Sequence, residues 1–136
     1  HPAGELGRKA LSVAEVMRGA DAVAVVHGET AVHKALERIT QARAGAAIVV
    51  DGEDQLLGIF TDGDLRRGLQ EDALLLQRPV MNAMTGKPRS VAASAPAVEA
   101  LHLLREHRIG EVPVVDDAGK VVGLVDLKSL VAAGLH

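Results

Sequence analysis

A polar segment from Gly58 to Arg67 holds the residue types best suited to bind a small anionic ligand. The β-branched and apolar run ends at Phe60, so a helix is predicted to start just after it. A helix start offers free N–H groups and partial positive charge, which suit a phosphate. A carboxylate three residues after a capping hydroxyl is able to accept both hydroxyls of a ribose. The segment is therefore a candidate site for a ribose and a phosphate or another anion, with candidate residues Gly58, Thr61, Asp64, Arg66 and Arg67.

The same spacing has a purely structural interpretation. Thr61 and Asp64 match the capping-box pattern, in which each side chain bonds to the other residue's backbone N–H. On this interpretation Arg66 and Arg67 are solvated cations. The two interpretations are compatible, and both stay open at this point.

A base bound beside this segment needs apolar walls. The strands of the chain are expected to supply them, and the candidates are Val23, Ala47 and Val112.

The elements that must position these residues occur twice. Residues 30–65 align without gaps on residues 95–130 at an offset of 65, with nine identical pairs that include Arg43/Arg108, Asp51/Asp116 and Gly58/Gly123. Upstream, Val13 and Met17 recur at an offset of 67. The chain is therefore a tandem repeat.

Each copy shows the same local signals in the same order. A short helix, an extended run, a helix, two β-branched runs joined by a polar turn, and a final helix are predicted. In the first copy the paired runs are 47–50 and 56–60, and the final helix is 62–69 with Gly68 near its stop. Gly134 stands near the second stop. This is an α/β (α+β) repeat of about 60 residues, divided as 12–69, a linker at 70–78, and 79–136.

The element order, with the run Gly-Glu-Val-Pro-Val-Val-Asp-Asp-Ala-Gly-Lys-Val-Val-Gly-Leu-Val at 110–125, resembles a CBS domain. Two in tandem resemble a Bateman module, an adenine-nucleotide-sensing pair. The resemblance covers residues 12–134. It implies AMP, ADP or ATP as the ligand, phosphate and ribose contacts at Thr61 and Asp64, and homodimers formed through the CBS faces.

Segments 58–67 and 1–9 are similar to parts of the arabinose-5-phosphate isomerase family, which joins a sugar isomerase domain to a CBS pair. This resemblance implies that residues 1–11 are the trailing edge of that catalytic domain and that His1 matches a histidine bordering its active site. It also implies that the parent is a cytoplasmic aldose–ketose isomerase that supplies the Kdo sugar of lipopolysaccharide. The chain by itself is then expected to have no catalytic residues.

The second copy departs from the binding pattern. Asp126 stands where the first copy has Thr61, and Ser129 stands where it has Asp64. A carboxylate at the phosphate position repels an anion, and one hydroxyl cannot accept from two ribose hydroxyls as a carboxylate does. The expectation is one competent site and one degraded site, with Asp126 capping the last helix.

Composition excludes several other function classes. The 136 residues carry a net charge of −3, one aromatic residue and no cysteine. Base-stacking nucleic-acid surfaces, thiolate chemistry and cysteine-based metal sites are therefore not expected. The six histidines are scattered, so no metal is predicted, and no apolar run approaches membrane-spanning length. A ligand-free oligomerisation module of the same isomerase remains the alternative function.

Overall fold

The computed structural model describes residues 11–136, and within them it contains five α-helices and eight β-strands. The helices are α1 Val13–Val16, α2 Val32–Ala42, α3 Asp62–Glu71, α4 Ala97–His107 and α5 Leu127–Ala132. The strands are β1 Arg18–Gly19, β2 Ala24–His27, β3 Ala46–Val50, β4 Leu56–Thr61, β5 Thr85–Gly86, β6 Val91–Ala92, β7 Glu111–Val115 and β8 Val121–Asp126. Short 3-10 helices cover Ala20–Ala22, Leu75–Gln77 and Val80–Asn82. The mixed α/β class is confirmed.

The strands form two four-stranded sheets of matching topology. One sheet has the order β2-β3-β4-β5 and the other has the order β6-β7-β8-β1. In each sheet the first pair is parallel and the next two pairs are antiparallel. Each long hairpin also carries an irregularity at the same place, between Val49 and Val50 and between Val114 and Val115. The sequence repeat is therefore a structural repeat.

The chain divides into two compact units that do not follow the sequence repeats. The first unit is Ala20–Pro88, and the described part of the second unit is residues 11–19 with Arg89–His136. The opening segment of each repeat supplies the edge strand for the sheet of the other repeat: β5 pairs with β4, and β1 pairs with β8. Backbone pairing along these edges decides which residues belong to each unit.

The two long hairpins close through the same local device. Oδ1 of Asp51 accepts the N–H groups of Glu53 at 2.8 Å and Gln55 at 3.0 Å. Oδ1 of Asp116 accepts those of Ala118 and Lys120, both at 2.9 Å. An Asp side chain that bonds to the backbone just after it stabilises a turn, so this identical pair in the repeat has a direct structural role.

The first unit's last helix is longer than predicted. Helix α3 continues to Glu71, so Gly68 lies inside it and does not end it. A Cβ on Gly68 would lie 2.6 Å from Cδ2 of Leu75, which is buried. Gly68 is therefore the residue that lets Leu75 pack against the helix. Gly134 does follow α5, with a φ of 90°, as the C-cap prediction required.

Each unit has its own apolar core. The first is formed by buried residues of the sheet, of α2 and of the segment after α3, namely Ala24, Val26, Val32, Ala35, Ala47, Val49, Phe60, Leu75 and Val80. The second is formed by the equivalent elements and includes Val13, Val91, Ala97, Ala100, Leu101, Leu104, Val112, Val114, Val125, Leu130 and Leu135.

Candidate functional site

The candidate site begins where β4 passes into α3. Thr61 is the last residue of β4 and the N-cap of α3, with an extended backbone (φ −120°, ψ 171°). Its Oγ1 accepts the N–H of Asp64 at 3.4 Å, and Oδ2 of Asp64 accepts the N–H of Thr61 at 3.0 Å. The two bonds form a capping box. The cap that the spacing predicts is present, and it positions the Asp64 carboxylate.

The Asp64 carboxylate is buried, with 5% of the residue exposed, and it accepts hydrogen bonds on both oxygens. Oδ2 accepts the N–H and the hydroxyl of Thr61, at 3.0 and 3.1 Å. Oδ1 accepts Nη2 of Arg67 at 2.8 Å and the hydroxyl of Thr85 at 2.9 Å. An ionised carboxylate has about four lone-pair sites, and these donors use all of them. A ligand hydroxyl that binds here must replace one of these donors.

The cations of the segment lie on the surface. The side chain of Arg67 is 69% exposed although it pairs with Asp64. Arg66 is exposed as well. Because most of the Arg67 side chain already contacts water, Arg67 is able to turn away once a ligand hydroxyl takes its place on the buried Asp64 carboxylate. The first turn of α3 also carries Asp62. The carboxylates of Asp62 and Asp64 offset the partial positive charge at the N-terminus of α3. An incoming phosphate therefore needs Arg66 and Arg67.

A surface pocket lies along the same edge of this sheet. The pairings Ala24↔Ala47 and Ala46↔Thr61 bring the starts of β2 and β3 to the edge where β4 ends. Val23, just before β2, lines a pocket of about 310 Å³ together with Asp21, Arg38, Gln41 and Arg43 among others.

The three predicted wall residues differ in position. Val23 borders the pocket and is 2% exposed. Ala47 is fully buried in the core of the first unit, and Val112 is fully buried in the core of the second.

The corresponding junction in the second unit is a simpler cap. Asp126 is the N-cap of α5 and accepts the N–H of Ser129 at 2.7 Å. The hydroxyl of Ser129 accepts the N–H of Asp126 at 3.3 Å and donates to its carbonyl oxygen at 2.9 Å. A hydroxyl in place of the Asp64 carboxylate leaves this junction without the buried acceptor of the first unit.

Thr85 is a site residue that sequence reasoning missed. It stands on β5, 21 residues after Asp64, and the register Ile59↔Thr85 brings it beside the end of β4. The sequence carries one indirect signal, since Met84 recurs as Met17 at an offset of 67. That repeat marks the segment but does not show which carboxylate Thr85 contacts.

Comparison with known proteins places the fold and this junction in a family. The sequence profile of the CBS domain matches the chain twice, over residues 13–71 and 80–136. The chain belongs to the CBS domain family. Each match includes one of the two capping-box junctions, Thr61–Asp64 in the first and Asp126–Ser129 in the second.

Curated relatives resemble the CBS pair along its whole length. Arabinose 5-phosphate isomerase GutQ of Salmonella typhimurium is 38% identical over 136 residues, which is 99% of this chain and 42% of that protein. Arabinose 5-phosphate isomerase KdsD of Francisella tularensis is 34% identical over 137 residues, again covering 42% of that protein. The CBS pair thus spans about two fifths of the length of these relatives.

A solved CBS pair has the same fold. CBSX2 of Arabidopsis thaliana, crystallised in complex with AMP, is 29% identical to this chain with a TM-score of 0.78. The match covers 90% of this chain and 95% of CBSX2.

The remaining expectations from the sequence concern the first ten residues, membrane-spanning helices and metal ions. His1 and the other residues up to Ala10 lie outside the described residues of the CBS pair. None of the helices within residues 11–136 has the length and apolar character that crossing a bilayer requires. In that same range, no group of three or more His, Asp or Glu side chains is arranged to hold a metal ion.

Proposed function

We propose that this CBS pair binds an adenine nucleotide and regulates an arabinose-5-phosphate isomerase of which it forms part. The parent enzyme interconverts D-arabinose 5-phosphate and D-ribulose 5-phosphate in the cytoplasm, on the route to the Kdo sugar of lipopolysaccharide. Its isomerase domain carries the catalytic groups, and the CBS pair carries none. Similarity to two such isomerases over almost every residue of the chain supports this assignment.

The observation that carries the proposal is the buried carboxylate of Asp64 at the start of α3. Its oxygens accept hydroxyl and N–H donors at 2.8 to 3.1 Å in the free protein. The 2′- and 3′-hydroxyls of a ribose are donors of the same kind and fit the same acceptors. The AMP complex of a CBS pair that is 29% identical supports an adenine nucleotide as the ligand.

The other groups of the junction have distinct proposed roles. The Thr61 hydroxyl and the first N–H groups of α3 face the phosphate, while Arg66 and Arg67 neutralise its charge. Gly58 allows the backbone of β5 to approach β4 closely. The pocket beside Val23 lies on the same sheet edge and is large enough to admit part of the ligand. The junction of Asp126 and Ser129 is proposed to be a cap that binds no nucleotide.

Titration of AMP, ADP and ATP by calorimetry tests the proposal, with Asp64→Asn as the variant. Asparagine keeps the shape but removes the negative charge, and a hydrogen bond to a charged group contributes about 1.5–3 kcal/mol. We expect a loss of at least tenfold in affinity. Asp64→Ala is a poorer probe because it also removes the buried half of the capping box. Ser129→Ala removes the equivalent box contact in the second unit, and it should leave affinity within twofold.

The composition of the chain provides an independent check. With no Trp or Tyr, the purified protein absorbs little at 280 nm, so a co-purified base would dominate its ultraviolet spectrum. Wild-type protein without such absorbance, and with no calorimetric signal for any of the three nucleotides, would overturn the proposed ligand.

A second candidate function, a ligand-free oligomerisation module, is favoured by one surface. Helix α5 exposes Leu127 at 46% and Val131 at 49%, one helical turn apart. Single exposed apolar residues are common, but a neighbouring pair on one helix suits a contact between copies of the chain. A homodimer in sedimentation experiments that Leu127→Glu dissociates, together with absent nucleotide binding, would favour this function.

A further inference from the structure

The two oxygens of Asp64 have partners of different kinds. Both donors to Oδ2 belong to Thr61, three residues away, and one of them is the backbone N–H of the helix cap. The donors to Oδ1 are the side chains of Arg67, in the helix, and of Thr85, from another strand. Loss of the backbone N–H bond to Oδ2 would open the N-terminus of α3, whereas loss of the Oδ1 bonds leaves the cap intact.

The side chains that donate to Oδ1 are also exposed to water. Arg67 has 69% of its side chain exposed, and Thr85 is an exposed residue. Both side chains find water when they are displaced, whereas release of the Thr61 N–H also breaks the cap of α3. Oδ1 is therefore the oxygen at which a ligand hydroxyl can enter.

Of the two donors to Oδ1, Thr85 is the one held in a fixed position. Arg67 is a long side chain whose guanidinium is able to turn from Asp64 to a phosphate. Thr85 stands on β5, where pairing with Ile59 of β4 holds its backbone. Its hydroxyl stays 2.9 Å from Oδ1 unless it rotates away.

We propose, resting on the nucleotide site proposed above, that Thr85 is a positioning residue of that site. Its hydroxyl occupies Oδ1 of Asp64 in the free protein and gives this oxygen up to a ribose hydroxyl when the nucleotide binds. Thr85 thereby orients the carboxylate and also competes with the ligand. At the equivalent register of the second unit, Arg18 stands opposite Leu124 and Ser129 replaces the carboxylate. The hydrogen bond from a strand threonine to a buried carboxylate therefore belongs to the first unit.

The competition gives an unusual expectation for Thr85→Val, which keeps the shape of the side chain and removes the donor. Without a nucleotide, Thr85→Val leaves the buried carboxylate of Asp64 one donor short, so the unfolding temperature of this variant is lower than that of wild type. A bound ribose hydroxyl supplies that donor again. We therefore expect AMP to bind about tenfold tighter than to wild type, because a hydrogen bond to a charged acceptor accounts for at least that factor. Thr85→Ser keeps the hydroxyl and should bind AMP as wild type does.

The experiment is AMP calorimetry on wild type, Thr85→Val and Thr85→Ser, with Thr40→Val on the exposed surface of α2 as a matched control. Tighter binding by Thr85→Val alone supports the proposal. Wild-type binding with equal or weaker binding by Thr85→Val overturns it and leaves the nucleotide site standing, because a merely structural threonine changes stability without raising affinity. A wild-type protein that binds no AMP overturns the nucleotide site and this inference with it.

Discussion

Gly58 is predicted to be one of the least replaceable residues of the first unit. It pairs with Gly86 across β4 and β5. A Cβ built on Gly58 would overlap Sδ of Met84 and lie 2.7 Å from the carbonyl oxygen of Thr85. A Cβ built on Gly86 meets no atom within 4 Å. The two register partners are thus a matched pair for an alanine substitution.

The free-energy cost of Gly58→Ala depends on which of its two neighbours, Met84 or the carbonyl of Thr85, is able to move. The thioether of Met84 is flexible, so that overlap is relieved by a rotation. The carbonyl of Thr85 is backbone, and ordinary contact begins at 3.4 Å, so β5 must move by about 0.7 Å. A shift of that size stretches the two pairings that join β5 to β4. Overpacking and weakened hydrogen bonds of this kind cost about 1–3 kcal/mol.

Urea denaturation followed by circular dichroism measures this difference, since the chain offers no Trp or Tyr fluorescence. Gly86→Ala is expected to be neutral or to stabilise by up to about 1 kcal/mol, because it restricts the unfolded chain. Gly58→Ala should lose about 1–3 kcal/mol, and the same shift should weaken the bond from Thr85 to Asp64. If the two variants unfold within about 0.5 kcal/mol of each other, the close approach of β5 to β4 is not what requires glycine.

Two further predictions concern other parts of the chain. A Cβ on Gly123 would overlap the carbonyl oxygen of Arg18 on β1, whereas a Cβ on Gly110 meets no atom within 4 Å. Gly123→Ala should therefore lower the free energy of unfolding by about 1–3 kcal/mol relative to Gly110→Ala. Equal unfolding midpoints of the two variants in urea would contradict this. The hydrogen bond from Arg78, 2.9 Å long, holds the pKa of Asp72 below its ordinary 3.8. Its stabilisation is therefore complete above about pH 3.8 and is lost as the pH falls through the lowered pKa. Arg78→Gln should raise the pKa of Asp72 in a carboxyl-carbon NMR titration, and an unchanged pKa would show that the pair is not formed in solution.

Local contacts account for the features that could be predicted from the sequence. Ser12 and Glu15 have the capping-box spacing and form that box, with Oε2 of Glu15 accepting the N–H of Ser12 at 2.7 Å. The box at Thr61 and Asp64 and the hairpin turn at Asp51 are present as well. Each of these devices joins residues no more than four apart, so the sequence pattern contains both partners.

The features that the sequence does not reveal depend on contacts between different elements of the fold. Glycine often follows a helix end, so the sequence predicts that the 62–69 helix stops near Gly68. In the structure Gly68 lies inside the helix, where the absence of a side chain leaves room for Leu75. The bond from Thr85 to Asp64 joins residues 21 apart. Neither partner carries a local signal of the other, because the contact exists only after β5 has paired with β4.

The amino-acid sequence alone shows that the chain is a repeat, where the longer helices and strands of each copy lie, and which copy carries a carboxylate after its last strand. Periodicity, caps and turns are short-range properties, and an alignment of the two copies exposes the difference between Asp64 and Ser129. Folding sets which sheet each opening segment joins and which donors surround Asp64. Edge strands pair with whichever sheet the folded chain presents to them. The surroundings of a buried carboxylate are therefore set by long-range pairing and are not written next to it in the sequence.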